Sequence, residues 1–412
     1  MIQSAHSPSA GRWPVSHRFS VLDAWRGVCA LLVTIVHIPV MHALQGTEVF
    51  LNMQMFVDFF FVLSGFVMCH AYGSSLRESG RFEGFMIRRF GRIYPLHLAM
   101  ILGFAALELA KLAVLAVAKI QVDGAPFTGP RSIETLVSNL FLTQSFNLHG
   151  MTSWNGPAWS ISVEFYAYVV FAVAVLVAGM RTAMFTALAT VALAGLAYFS
   201  PSYIFATHDF GFLRCLYGFF TGCVVYQLVM RQGSGRFAGT LLEVGAVALL
   251  AGFILLSGKN ATSYLAPLVF AVVVYVFAFE KGIFSRVLAT RPAQALGLWS
   301  YSIYMVHMLI FAVEKMAFGF LAKKGLIGLA IVQTPLARLW TFNNVALDAV
   351  LFTVQIVLTL IVSKLTYDYI EDPWRKTFAA IARRREMATE AAKPERMAPA
   401  PTLRIARGPG LR

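Results

Sequence analysis

Asp23-Ala-Trp-Arg-Gly-Val-Cys-Ala-Leu-Leu-Val-Thr-Ile-Val-His37 is an apolar run that carries Arg26 near one end and His37 eleven residues later. At about 100° and 1.5 Å per residue, that interval turns through about 1100°, three turns plus roughly 20°. Arg26 and His37 therefore share one face of a helix, about 16 Å apart along its axis. Ionisable groups inside an apolar helix are costly in lipid and are expected to face a protein interior or a wet cavity.

The composition around this stretch makes the lipid explicit. Of 412 residues, 58% are hydrophobic and 13% charged, with mean hydropathy +0.68, far too apolar for a soluble domain. Runs of spanning length lie at 21–44, 52–72, 93–119, 158–179, 182–200, 210–230, 238–257, 262–279, 297–320 and 346–370. The expected fold is all-α: a polytopic bundle of about ten transmembrane helices. The first run lacks a small-residue cleavage pattern and reads as a retained span, not a leader.

Arginine and lysine orient the spans. Arg12 and Arg18, the group Arg77 to Arg92, Arg181, Arg231, Arg236, Lys281, Arg286, Arg291, and Arg375 onward fall on one side if both termini are cytoplasmic. Only the loop 321–345, with Lys323, Lys324 and Arg338, runs against this rule. The chain divides into a cytoplasmic segment 1–20, a membrane domain 21–376, and a basic tail 377–412 expected to be disordered and cytoplasmic. The net charge of +14 sits in short loops and the tail, without interleaved aromatics, which excludes a nucleic-acid partner and leaves the lipid bilayer. The four cysteines lie in apolar stretches without paired spacing, so neither a disulfide framework nor a metal site is expected. Residues 120–157 contain an apolar piece, Leu136 to Phe146, too short to span and expected to be interfacial or re-entrant over the cavity.

Within the spans, ionisable and hydroxyl residues mark a candidate site. Asp58 in the second span, His37 in the first and Glu164 in the fourth lie at similar depths, which predicts a shared polar pocket. His37 is the candidate general base, oriented by Asp58 or by Glu164. Ser64-Gly65 follows Asp58, either as site hydroxyl or as a packing notch. At the entrance to the third span, Arg88, Arg89 and Arg92 offer guanidinium forks suited to phosphate, with Arg89 and Arg92 neighbours on one helix face. The ninth span carries Ser300-Tyr301-Ser302-Ile303-Tyr304-Met305-Val306-His307, placing Tyr304 and His307 near mid-membrane. Arg214, Gly218 and Gly222 in the sixth span read as helix packing. Pro373 is expected to stop the tenth.

Together, Arg-x10-His at 26–37, Asp-Phe-Phe-Phe-Val-Leu-Ser-Gly-Phe at 58–66, Arg-Arg-x-x-Arg-Ile at 88–93, Trp-Ser-x-Ser-x-Glu at 159–164, Ser-Tyr-x-x-Tyr-x-x-His at 300–307 and Tyr-x-x-Ile-Glu-x-Pro at 367–373 resemble acyltransferase family 3, the integral-membrane acyltransferases. The resemblance runs from about residue 20 to 376, with one departure: His97 stands where the family often has tyrosine. It implies transfer of an acyl group, commonly acetyl, from cytoplasmic acyl-CoA (acetyl-CoA) to a hydroxyl of a glycan or other cell-surface or secreted small acceptor, in the cytoplasmic (inner) membrane of a bacterium. It also implies that Arg26 and His37 are the essential pair and that Arg89 and Arg92, with Arg88, hold the donor. His37 would act as base or as transient acyl carrier; Ser64, Tyr304 and His307 would line the substrate site. A transporter or flippase passing a polar substrate along Asp58, Glu164 and His37 is the rival reading, weakened by the absence of an internal repeat.

Overall fold

The computed structural model describes residues 17–42, 45–78, 81–118, 124–233, 239–334 and 338–392. The helices run α1 Ser20–His37, α2 Glu48–Asn52, α3 Phe56–Tyr72, α4 Arg81–Ala113, α5 Ile133–Leu140, α6 Ala158–Ala178, α7 Thr182–Phe199, α8 Gly211–Gln232, α9 Thr240–Leu256, α10 Ala266–Phe277, α11 Ile283–Leu288, α12 Arg291–Lys323, α13 Val345–Thr366 and α14 Asp372–Ala391. Eight of the helical segments are long and apolar enough to cross a membrane, and Thr240–Leu256 and Ala261–Phe277 are shorter apolar helices. Ten is the number expected from the hydropathy pattern.

Glycine sets how the bundle closes. α1 lies along α12 in a parallel sense, Asp23 and Gly27 meeting Gly297 at one end and His37 meeting His307 at the other. A Cβ on Gly27 would come 2.4 Å from the backbone of Leu296. The α3–α8 contact is closer still: a Cβ on Gly65 would approach Phe219 O to 1.8 Å, and one on Gly222 would approach Val62 O to 1.8 Å. Small residues permit this backbone approach, and dispersion over the resulting contact holds helices together where lipid provides no hydrophobic drive. The packing role read for Gly218, Gly222 and the Gly65 notch is what these positions serve.

Three features depart from expectation. The chain does not stop at Pro373. A π-helical turn, Tyr367–Glu371, links α13 to α14, and Pro373 occupies the first turn of α14, where its missing N–H has no partner to lose. The tail is helical as far as Ala391 and not disordered from residue 377. It packs antiparallel on the first turns of α4, with Phe378 over Gly91, Ala382 buried, and Glu386 paired with Arg88 and Arg81. The disorder expected beyond 392, and the segment 1–16 with Arg12, lie outside the described residues. Lastly, the contrary loop 321–345 forms a two-stranded antiparallel hairpin, β1 Ala330–Gln333 with β2 Arg338–Thr341, whose Trp340 bridges to Val40 just past α1.

The 120–157 connection folds back into the bundle. α5 begins where Arg131 meets Glu108 near the end of α4 and finishes beside its middle, where Tyr94 Oη donates to Leu140 O (3.0 Å) and His97 Nε2 bonds Asn139 O (2.9 Å). Short and amphipathic, it buries Thr135, Ser138 and Asn139 against the bundle and leaves Ile133 and Val137 exposed on its other face.

Candidate active site

Five helices converge on a cavity of about 110 Å³, room for several water molecules. α6 contributes Ser160, Glu164 and Tyr168, four residues apart and hence on one face. α3 adds Ser64, α12 adds Ser300, Tyr301 and Tyr304, α4 adds Arg89 and Arg92, and α1 adds Arg26. Three guanidinium groups thus meet one lining carboxylate in a protein interior.

Arg92 has a carboxylate of its own, Arg26 shares one with Arg18, and Arg89 has none among the described residues. Arg26 donates to Ser300 Oγ (2.9 Å) and lies 3.6 Å from Asp23. Arg92 pairs with Glu371, a residue the π turn directs inward, where Ser302 Oγ also donates to it (2.7 Å). Arg89 has no carboxylate partner among the described residues: it donates to Tyr72 Oη (2.9 Å), lies 5.2 Å from the Tyr72 ring centroid and 5.9 Å from that of Tyr168, and its Nε is buried without a hydrogen bond. Glu164 accepts from Ser64 Oγ and from Tyr168 Oη (2.6 Å), so the Ser64 proton is engaged. Tyr304 Oη donates to Pro157 O (2.9 Å) and, its proton being used there, accepts from Ser160 Oγ (2.8 Å).

Beyond Tyr304 stand two histidines. The His307 ring is 6.1 Å from that of Tyr304, and the His37 ring is 5.2 Å from that of His307. Each Nδ1 faces a backbone carbonyl one turn earlier in its own helix, His37 that of Val33 (2.8 Å) and His307 that of Ile303 (3.1 Å). A carbonyl only accepts, so each Nδ1 carries a hydrogen and a neutral ring presents its lone pair at Nε2. His307 is fully buried, and its Nε2 has no hydrogen-bond partner among the described residues.

The shared pocket predicted for His37, Asp58 and Glu164 does not form. Asp58 is sealed against Arg214 by two bonds of 2.9 and 2.7 Å, with Arg214 donating also to Ala206 O and lying 5.1 Å from the Trp159 ring centroid. Glu164 faces the cavity, and His37 faces His307, so neither carboxylate orients the histidine. Equal depth does not place side chains at the same azimuth around the bundle. Arg88 likewise turns away from the cavity to Glu386. The residues missed were Tyr72, Tyr168, Ser300, Tyr301 and Glu371. Tyr168 repeats the Glu164 face one turn on, and Glu371 belongs to the quoted 367–373 motif, so both carried a signal.

A multi-pass helical membrane protein with an arginine-lined interior cavity opposite a histidine pair is the class that fold and site define. A sequence profile for the family described as "Acyltransferase domain" matches residues 19–367, and the chain belongs to that family of acyl-transferring enzymes. It is 35% identical over 160 residues to "Protein 2 in picA locus" of Rhizobium radiobacter, covering 38% of this chain and 81% of that protein. It is 33% identical over 117 residues to "Acyltransferase MdmB" of Streptomyces mycarofaciens, covering 28% of this chain and 26% of that one. No solved structure matches.

Proposed function

We propose that the enzyme takes its acyl group from acyl-CoA, most simply as acetyl, and places it on a hydroxyl of a glycan or another small cell-surface or secreted acceptor, in the cytoplasmic membrane of a bacterium. The observation that carries the donor assignment is Arg89. Arg92 is paired with Glu371 and Arg26 lies 3.6 Å from an Asp23 that it shares with Arg18, whereas Arg89 has no carboxylate partner among the described residues and lies against the rings of Tyr72 and Tyr168, a state that an anionic ligand would stabilise. A phosphate of the donor is such a ligand. The modest cavity volume favours a short acyl chain, and the tyrosine and serine lining suits a polar thioester.

His37 serves as the base in this reading. The acceptor hydroxyl passes its proton to His37 Nε2 as its oxygen attacks the thioester carbonyl, and the thiolate leaves with a proton as free CoA. The backbone bond at Nδ1 keeps Nε2 as the basic nitrogen, and the His307 ring packs beside it, 5.2 Å away. The test is calorimetry of acetyl-CoA binding to purified protein in detergent, followed by mass spectrometry of surface glycans with and without the gene. Binding and loss of an acetyl increment on one sugar are expected; absence of donor binding would remove the acyl-CoA assignment.

A further inference from the structure

A second reactive constellation lies away from the cavity, on the re-entrant segment. Glu134 and Ser138 are four residues apart on α5 and so occupy one face. The loop that follows returns His149 to them. Ser138 Oγ is 2.7 Å from His149 Nε2, and His149 Nδ1 is 3.8 Å from Glu134 Oε1.

The polarity of this arrangement is set by electrostatics. A histidine lone pair facing a carboxylate is repelled, so Nδ1 carries the hydrogen and Nε2 accepts from the Ser138 hydroxyl. The other acceptor within reach of that hydroxyl, Glu134 O, is 3.5 Å away, so the proton rests with histidine. Nucleophile and base are thus in contact; the Glu134 carboxylate, 82% exposed and 3.8 Å away, is beyond hydrogen-bond reach and adds only a solvent-screened charge.

The scaffold is braced. Thr143 N donates to Ser138 O (2.8 Å), Asn139 Nδ2 to Ser153 Oγ (2.7 Å), Trp154 Nε1 to Thr135 Oγ1 (3.1 Å) and Gln144 Nε2 to Ala158 O (3.1 Å). Four large apolar residues of the same segment, Val137, Phe141, Leu148 and Met151, remain exposed beside this polar core.

We propose that Ser138 and His149 form a second catalytic centre, a serine esterase that acts on short-chain carboxylic esters. Ser138 Oγ attacks the ester carbonyl while its proton moves to His149 Nε2; the alcohol departs with that proton, leaving acyl-Ser138. Water, deprotonated by His149, then releases the carboxylic acid and restores the serine. Glu134 makes no hydrogen bond to Nδ1; its exposed charge favours the imidazolium only weakly.

The experiment treats the full-length protein in detergent with a fluorophosphonate probe, locates the adduct by mass spectrometry, and measures p-nitrophenyl acetate hydrolysis in parallel. Labelling at Ser138 is expected, with no adduct at residue 138 in Ser138→Ala, labelling slowed about 10²-fold or more in His149→Gln, and a smaller loss in Glu134→Gln. Circular dichroism and acetyl-CoA binding of Ser138→Ala check that the fold persists. A helical, unaggregated wild-type protein that is not labelled at Ser138, or a Ser138→Ala protein that retains ester hydrolysis, overturns the proposal and leaves the pair a strut within the loop. Labelling at Ser138 in a protein that binds no acetyl-CoA would uphold the esterase and sink only the donor assignment.

Discussion

Two buried clusters in this bundle use the same residue types to opposite ends. Asp58 and Arg214 meet one to one in bidentate geometry, with the remaining guanidinium donors on backbone carbonyls and Trp159 packed above. Nothing is left unsatisfied, and both residues are at most 2% exposed. In the cavity, by contrast, Arg26, Arg89 and Arg92 share too few partners, and space remains between them. A closed ion pair is a strut; a surplus cation beside a void is a site. Charge in a membrane helix does not distinguish the two, whereas stoichiometry and room do.

Mutations should separate them. The largest effect is expected on catalysis from His37→Ala: transfer lost by about 10²–10⁴-fold with acetyl-CoA affinity kept, measured by turnover and calorimetry on the same preparation. Unchanged turnover would dismiss His37 as the base. Arg214→Met comes next and should act on the fold, costing about 3–5 kcal/mol by stranding Asp58, seen as a lowered Tm in detergent; a double change with Asp58→Leu should recover much of it. Were Arg214→Met instead to leave Tm intact and abolish donor binding, the contrast between strut and site would be inverted.

Arg89→Ala is expected to weaken acetyl-CoA binding by about 1.5–3 kcal/mol, roughly 10- to 150-fold, with little change or even a gain in Tm, since it removes a buried cation that lacks a counterion. Arg89→Lys should recover only part of the affinity, because a point charge replaces a fork. The smallest effect belongs to Glu386→Gln at the α4–α14 contact, where partly exposed charges pair outside the cavity; a loss of about 1 kcal/mol or less and unaltered turnover are expected.

The placement of Asp58 shows where sequence reasoning reached its limit. Depth along a span follows from counting residues, and it is on depth alone that His37, Asp58 and Glu164 were expected to share a pocket. Which way each points across the bundle depends on how every helix is rotated, and rotation is set by contacts such as Gly65 with Phe219 and Gly222 with Val62. Those contacts bring α8, with Arg214, to Asp58 before any histidine can reach it. Glu371 was hidden for a related reason: one π turn shifts the helical register and turns its carboxylate toward Arg92. The helical tail was missed because its order comes from Phe378, Ala382 and Glu386 against α4, not from apolar periodicity of its own.

By itself, then, the amino-acid sequence determined that this is a polytopic all-helical membrane protein, that Arg26 and His37 face the same way, and which six motifs place it among the acyltransferases. These are local sums of hydropathy, spacing and residue type. Only the tertiary structure decided that Arg89 lines the cavity without a carboxylate partner among the described residues, that His37 meets His307 and not a carboxylate, and that Ser138 and His149 come together. Each of these is a meeting of side chains from separate turns or separate helices, and no local rule specifies the rotation, register and close approach that bring them into contact.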